Sequence, residues 1–165
     1  MVYLSDFQTL CLLITVGCLA WSSYIDFKKF ILPDMLTLAV FLMGVLIALS
    51  DPIHVNIVGG AIGAAAGYGA SWALRWGVYM IKKEEALGLG DVKLFGAAGM
   101  WVGVEGVISV AFYGSLITLL AVLLKAIITR KGSLKDVVPF GPGIAVGIVI
   151  TILYGPMHNH IPALF

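Results

Sequence analysis

The sequence predicts an all-α bundle of about six transmembrane helices with its N-terminus outside, from its composition, its apolar runs and the placement of its basic residues. Of its 165 residues, 61% are hydrophobic and 12% are charged, and the mean hydropathy is +1.05. A soluble domain is about 45–50% apolar and about 25% charged. The length allows a single membrane domain over residues 1–165. The net charge of +1 provides no basic face for a nucleic-acid partner, so the lipid bilayer is the first partner that we expect.

Six apolar runs approach the roughly 20 residues that a helix needs to cross a bilayer. They cover residues 7–24, 35–50, 55–79, 91 to 101–104, 106–128 and 138–154. The fourth run is short for a full crossing. No basic region and no small-residue cleavage pattern accompany the first run, so we expect a retained span and not a signal peptide. In the third run, Gly59, Gly63 and Gly67 recur at four-residue spacing and predict a face for close helix packing.

All the basic residues fall near one side of the membrane if the six spans alternate. Three connections on that side, 25–34, 80–90 and 129–137, carry Lys28, Lys29, Lys82, Lys83, Arg130, Lys131 and Lys135. The other three basic residues, Arg75, Lys93 and Lys125, lie inside spans but close to this side, where long side chains can snorkel to the interface. The positive-inside rule therefore places this side in the cytoplasm and the N-terminus outside.

Two acids mark the cytoplasmic ends of the first and fourth spans. Asp26 closes the first apolar run, and Asp91 opens the fourth within the sequence Gly88-Leu89-Gly90-Asp91. Ionisable residues are costly in a membrane and are usually functional there. Because the two acids lie at similar depth, we expect a carboxylate pair that shares one proton. The ionised member would act as general base on a water, and the protonated member would polarise a carbonyl and later protonate the leaving amine.

Simpler structural roles are open to several residues around these acids. Asp91 begins a helix and is suited to capping it, whereas a negative charge is unfavourable at the helix C-terminus where Asp26 lies. We interpret Asp34 as the N-cap of the second span, which Pro33 can open. Gly88 and Gly90 are expected to let the chain turn tightly and to let a substrate backbone come close.

No cofactor and no metal are expected. Cys11 and Cys18 stand seven residues apart and form no CxxC pair, so we interpret them as small core residues and exclude a cysteine zinc site. His158 and His160 lie near the C-terminus without a third ligand, which makes a metal site there a poor hypothesis. A serine nucleophile is not expected either, because the histidines fall on the side opposite the acids.

Three motifs in order resemble those of the type IV prepilin peptidase family, the bacterial GxGD-type membrane aspartic peptidases. They are Asp26 followed by Ile31-Leu32-Pro33-Asp34, the stretch Gly88-Leu89-Gly90-Asp91-Val92-Lys93, and Pro139-Phe140-Gly141-Pro142-Gly143 at the start of the last span. A GxGD sequence alone would be a weak signal. The resemblance rests on the order of the three motifs within a frame of six spans.

The resemblance implies an endopeptidase that removes the short basic leader of prepilins or pseudopilins, after a glycine, at the cytoplasmic face of the bacterial inner membrane. It implies that Asp26 and Asp91 are the catalytic pair. Lys93 matches a recurring position beside the second acid, where it would tune that acid. The Pro139–Gly143 stretch is expected to shape the cytoplasmic mouth of the site without a chemical role. Glu84 and Glu85 are candidates to receive the basic leader, although our first interpretation of them is as solvated loop charges.

The chain departs from many members of that family in one respect. Those members carry a further N-terminal region with paired CxxC motifs and a methyltransferase activity. This chain starts about 25 residues before Asp26 and contains no CxxC, so it resembles the shorter peptidase-only form, and no methyltransferase activity is expected. A small proton-coupled transporter or channel subunit that uses the same two acids is the alternative function.

Overall fold

The computed structural model describes residues 5–50, 52–53, 55–83, 87–129 and 139–156. Within these ranges the chain forms five helices and no strand: α1 (Asp6–Lys29), α2 (Asp34–Ser50), α3 (Ile57–Lys82), α4 (Leu89–Thr129) and α5 (Gly141–Tyr154). The all-helical prediction is therefore confirmed for the described part of the chain. Three of these helices, α1, α3 and α4, are long and apolar enough to cross a membrane, and α2 and α5 are shorter apolar helices. The count of six spans and the outside N-terminus stay predictions.

Helix α4 is broken at Gly103, where φ is 68° and ψ is −174°. A straight helix of 41 residues would be about 62 Å long, twice the roughly 30 Å of a bilayer core. Instead, a Cβ atom at Gly67 of α3 would lie 2.5 Å from the carbonyl oxygen of Phe95 and 3.3 Å from Cγ2 of Val107. Twelve residues of straight helix would separate Phe95 and Val107 by about 18 Å, so the chain folds back at Gly103. The predicted fourth and fifth helices are thus two limbs of α4, 89–102 and 104–129, with the break two residues before the expected turn.

Glycines bring α3 and the first limb of α4 into backbone contact. A Cβ atom at Gly63 would overlap the carbonyl of Gly99, and one at Gly67 would press on the carbonyl of Phe95. The predicted packing role is confirmed for Gly63 and Gly67. Gly59 meets only Asn56 and Val55 at ordinary distances, and Gly60, against Met100, takes its place in the interface.

The second limb of α4 packs on α5 in the same way. A Cβ atom at Gly143 would lie 2.6 Å from the carbonyl oxygen of Gly114, and one at Gly147 would lie 2.8 Å from that of Val110. Small residues at helix interfaces are typical of membrane bundles, where apolar burial gives no preference for protein over lipid. Large apolar side chains accordingly cover the outside, among them Leu13, Trp21, Ile62, Leu74, Ile108 and Leu120.

Short connections bring three helix ends together. Helix α1 ends at Lys29, and the next residue, Phe30, adopts a left-handed conformation and donates its backbone N–H to the carbonyl of Asp26. Helix α2 begins at Asp34, four residues after Phe30, so the segment 31–33 remains beside the end of α1. Helix α4 starts at Leu89 and α5 at Gly141 against this segment, as the contacts of Leu32 with Gly90 and Gly141 indicate. The end of α1 and the starts of α4 and α5 therefore form one cluster.

Candidate active site

Asp26 lies in the last turn of α1 and faces the start of α5. Its side chain is buried, at 5% exposure, and Oδ2 accepts a hydrogen bond of 3.1 Å from the backbone N–H of Gly141. A carboxylate is poorly placed at the C-terminus of its own helix, because that end of the helix dipole is negative. The N-terminus of α5 offsets this, since its free N–H groups and positive dipole end bind anions.

Gly141 must be a glycine for this contact to form. A Cβ atom at this position would lie 2.7 Å from Oδ2 of Asp26 and 3.2 Å from both Cδ atoms of Leu32. Pro142, the next residue, is suited to the first turn of a helix because it needs no N–H partner there. We expected no chemical role for the Pro139–Gly143 stretch, and the hydrogen bond from Gly141 to Asp26 was not expected from the sequence.

Asp91 occupies the third position of α4, counted from the residue after Gly88. Its carboxylate lies against Gly88, where an added Cβ atom would be 3.2 Å from Oδ2. The expected role of Asp91 in capping the helix stays a prediction. Oδ1 is buried and has no hydrogen-bond partner among the described residues. A buried oxygen without a partner costs free energy unless a water or ligand satisfies it, so this atom is suited to holding one.

Both acids line one cavity of about 290 Å³. The carboxyl groups are close enough for their charges to interact. The side chain of Leu32 lies between the start of α4 and the start of α5. A Cβ atom at Gly90 would lie 2.6 Å from Cβ of Leu32, and one at Gly141 would lie 3.2 Å from both Cδ atoms of Leu32. The cavity holds several water molecules by volume, since each occupies about 30 Å³ in the liquid. The arrangement is therefore two buried acids beside a space for water and for part of a substrate.

Comparison with known proteins agrees with this geometry. A family model described as the type IV leader peptidase family matches residues 13–123. The chain belongs to the type IV leader peptidase family. Its relatives include proteins named "Prepilin leader peptidase/N-methyltransferase" from Escherichia coli K12, 34% identical over 139 residues, and from Dickeya chrysanthemi, 35% identical over 150 residues. These alignments cover 80% and 88% of this chain but 57% and 52% of the relatives, so the chain spans about half the length of the curated relatives that it matches.

No solved structure gives a significant match to this member of the family. The family match and the apolar helices together identify an integral membrane protein. The matched residues include both acids and the GxGD sequence, but they end before Gly141. The bond between Gly141 and Asp26 is thus known from the geometry alone.

The two glycines of the GxGD sequence do not make the tight turn that we expected. Neither has a positive φ, and Gly90 already lies inside α4. Gly90 instead allows close contact with Leu32. A Cβ atom on Gly88 would lie 3.2 Å from Oδ2 of Asp91, so a glycine lets the chain approach this acid closely. Both glycines therefore fix the position of the second acid.

Lys93 contacts Asp34 and not the acid beside it. Its Nζ lies 2.6 Å from Oδ1 of Asp34, and the two side chains are 43% and 70% exposed. Lys93 lines the same cavity as Asp91, but its ammonium group is paired with Asp34. Asp34 is the first residue of α2 and not its N-cap. The carbonyl of Pro33 accepts the first helical hydrogen bond, from the N–H of Thr37 at 3.3 Å. Pro33 therefore occupies the N-cap position, one residue before the first helical position that we expected for it.

A second cavity of about 420 Å³ adjoins the first. It lies between α2, α3 and the first limb of α4, and it shares Asp34 and Lys93 with the cavity of the two acids. The rest of its lining is mostly apolar: Met35, Thr37, Leu38, Phe41, Ala64, Tyr68, Gly96 and Ala97.

Glu84, Glu85 and the histidines near the C-terminus lie outside the described residues. Among the residues that are described, no group of three His, Cys, Asp or Glu side chains could hold a metal ion. Cys11 is buried in the core and Cys18 is half-buried; both are free thiols.

Proposed function

We propose that this protein is a membrane aspartic endopeptidase that removes the leader peptide of a type IV prepilin or pseudopilin. The observation that carries the proposal is the cavity that Asp26 and Asp91 share, in which both acids are buried and Asp26 is held by a backbone N–H. The relatives are named for prepilin leader peptidase activity. Because this chain covers about half of their length, the peptidase activity and the substrate class of the whole relative are proposals for this chain.

The proposed reaction is a general acid–base attack of water on the scissile amide. Two neighbouring carboxyl groups cannot both ionise cheaply, so one holds a proton. The ionised carboxylate removes a proton from the water as its oxygen attacks the carbonyl carbon, and the protonated carboxyl donates its proton to the carbonyl oxygen. The C–N bond of the resulting diol then breaks: the carboxyl that is now protonated donates to the leaving amine, and the ionised carboxylate takes the proton of one diol hydroxyl.

Backbone contacts keep the two acids in position for this reaction. A hydrogen bond from Gly141 occupies one oxygen of Asp26, and Gly88 lies against Oδ2 of Asp91. The unpartnered Oδ1 of Asp91 is then available to bind the water or the carbonyl of the substrate. Fixed positions matter because the reacting groups must approach within about 3–3.5 Å in the correct orientation.

The finer details belong to the same proposal. We place the site at the cytoplasmic face of the bacterial inner membrane, because the positive-inside rule puts the ends of α1 and the start of α4 there. Cleavage would follow a glycine, with Glu84 and Glu85 as candidates to receive the basic leader. Methyl transfer to the new N-terminus is not proposed, since the sequence contains two cysteines and no CxxC pair.

The test is cleavage of a model prepilin by the purified protein in liposomes, with Asp26→Asn and Asp91→Asn as variants. Asparagine keeps the shape of the side chain and removes its ionisation. We expect the wild type to cut before the hydrophobic segment, and each variant to lose at least about 100-fold in kcat, the scale of general acid–base catalysis. If several prepilins remain intact with folded wild-type protein, the peptidase proposal is wrong, and proton transport by the same two acids becomes the function to measure.

A further inference from the structure

Arg75 of α3 binds the chain immediately before the GxGD sequence. Its guanidinium donates a hydrogen bond to the backbone carbonyl of Leu87, twelve residues away. The side chain is half-buried. We expected Arg75 to snorkel to the membrane surface, but this contact ties it to the loop that leads into α4. An arginine in a membrane helix is costly, and this one binds next to a proposed catalytic acid.

One peptide group connects Arg75 to Asp91. The carbonyl of Leu87, which accepts from Arg75, belongs to the same peptide unit as the nitrogen of Gly88. A Cβ atom on Gly88 would lie 3.2 Å from Oδ2 of Asp91, so Gly88 lies directly against this carboxylate. The peptide unit is planar and rigid, so a bond that fixes its oxygen also fixes the position of Gly88.

The surroundings of Arg75 favour this bond. Trp72, Trp76 and Tyr79 line a cavity of about 250 Å³ together with Arg75. The two indole rings are parallel, with an interplanar angle of 2° and centroids 6.3 Å apart. Aromatic walls reduce competition from water for the guanidinium, and a hydrogen bond is stronger where the local dielectric is low.

We propose that Arg75 is a positioning residue of the active site, which holds the Leu87–Gly88 peptide against the carboxylate of Asp91. The proposal rests on the proposed function, in which Asp91 is one of the two catalytic acids. Arg75 itself does not touch the reacting atoms. Arginine is suited to the role because its planar guanidinium loses less freedom per hydrogen bond than a lysine ammonium does.

The first test compares Arg75→Met, Arg75→Gln and Arg75→Lys in prepilin cleavage, with Lys82→Met as the control. Lys82 lies seven residues further along α3, on the same helix face and exposed. We expect Arg75→Met and Arg75→Gln to lower kcat about tenfold, the lower end for a bond to a charged group, and to leave KM within about twofold. Arg75→Lys should recover part of kcat, and Lys82→Met should match the wild type.

A second readout does not depend on cleavage. A water-soluble carbodiimide modifies carboxyl groups, and mass spectrometry gives the modified fraction at Asp91 and Asp26 separately. Without Arg75, the Asp91 carboxyl loses its fixed position and should be modified several times faster, while Asp26, held by Gly141, keeps its rate.

The two readouts distinguish the possible failures. Wild-type kcat and unchanged Asp91 labelling in folded Arg75→Gln protein would overturn the role of Arg75 while Asp91→Asn remained inactive. An equal fall of kcat in Arg75→Lys and Arg75→Gln with unchanged labelling would also overturn it, because a general loss of packing would then be the cause. If the wild type cleaves no prepilin, the proposed function is wrong, and the labelling ratio still decides whether Arg75 positions Asp91.

Discussion

Replacing Gly141 by alanine places a methyl group against the carboxylate of Asp26. The new Cβ would lie 2.7 Å from Oδ2, about 0.7 Å closer than the 3.4 Å at which ordinary contact begins. It would also lie 3.2 Å from both Cδ atoms of Leu32, so the methyl group cannot avoid Asp26 by moving towards Leu32. Either Asp26 or the start of α5 must shift. A shift of that size lengthens the hydrogen bond from 3.1 Å to beyond hydrogen-bonding range.

The loss of that bond sets the size of the effect. A hydrogen bond to a charged group contributes about 1.5–3 kcal/mol, and about 1.4 kcal/mol corresponds to a tenfold change. If the bond orients Asp26 for catalysis, kcat of Gly141→Ala should fall about 10- to 100-fold. KM should change little, because the methyl group points at the acid and at Leu32, which are not expected to hold the leader.

The assay is steady-state cleavage of a model prepilin, with Gly69→Ala as the matched control. Gly69 is a helical glycine of α3 that has nothing within 4 Å of an added Cβ, so the control adds the same methyl group in open space. We expect Gly69→Ala to cleave at the wild-type rate and Gly141→Ala to be slow with a near-normal melting temperature. Wild-type kcat in Gly141→Ala would refute the claim that this backbone contact orients the first acid.

Two further predictions concern packing and surface charge. Gly99→Ala should lower the stability in detergent by about 1–3 kcal/mol or more, because its methyl group overlaps the backbone of Gly63 and overpacking has that cost. The control is Gly77→Ala, which adds the methyl group in open space, and equal melting temperatures of the two variants would contradict the contact of α3 with α4. A double-mutant cycle of Lys93→Met and Asp34→Asn should give a coupling free energy below about 1 kcal/mol that falls with added salt, because both side chains are largely exposed. A larger coupling free energy that does not change with salt would mean that the pair is shielded from solvent.

The meeting of the two acids was predictable from the sequence. The basic residues predict which helix ends share a side, and Asp26 and Asp91 both stand at such ends. The cavity that the two acids share agrees with that expectation. The reversal within α4 was also predictable, and only its position, at Gly103 rather than residue 105, depended on which glycine could adopt a positive φ.

Contacts between distant segments were not predictable in the same way. The bond from Gly141 to Asp26 joins residues 115 apart, and the sequence signals only that a helix begins near Pro142. That a helix N-terminus binds an anion could have been inferred, but not which of the two acids. For Lys93, the sequence does indicate that Asp91 is not its partner, because residues two apart on a helix do not face each other. The contact of Arg75 with Leu87 depends on how α3 leans against α4, which glycine packing determines and apolar periodicity does not.

The most direct test of the central claim, that Asp26 and Asp91 act as one catalytic unit, is a comparison of kcat for Asp26→Asn, Asp91→Asn and the double variant in the same prepilin cleavage assay. Residues that work as a unit are strongly non-additive. We therefore predict that each single variant loses nearly all activity and that the double variant is no slower than either. Losses that multiply in the double variant, or a single variant that still cleaves well, would contradict the shared role of the two acids.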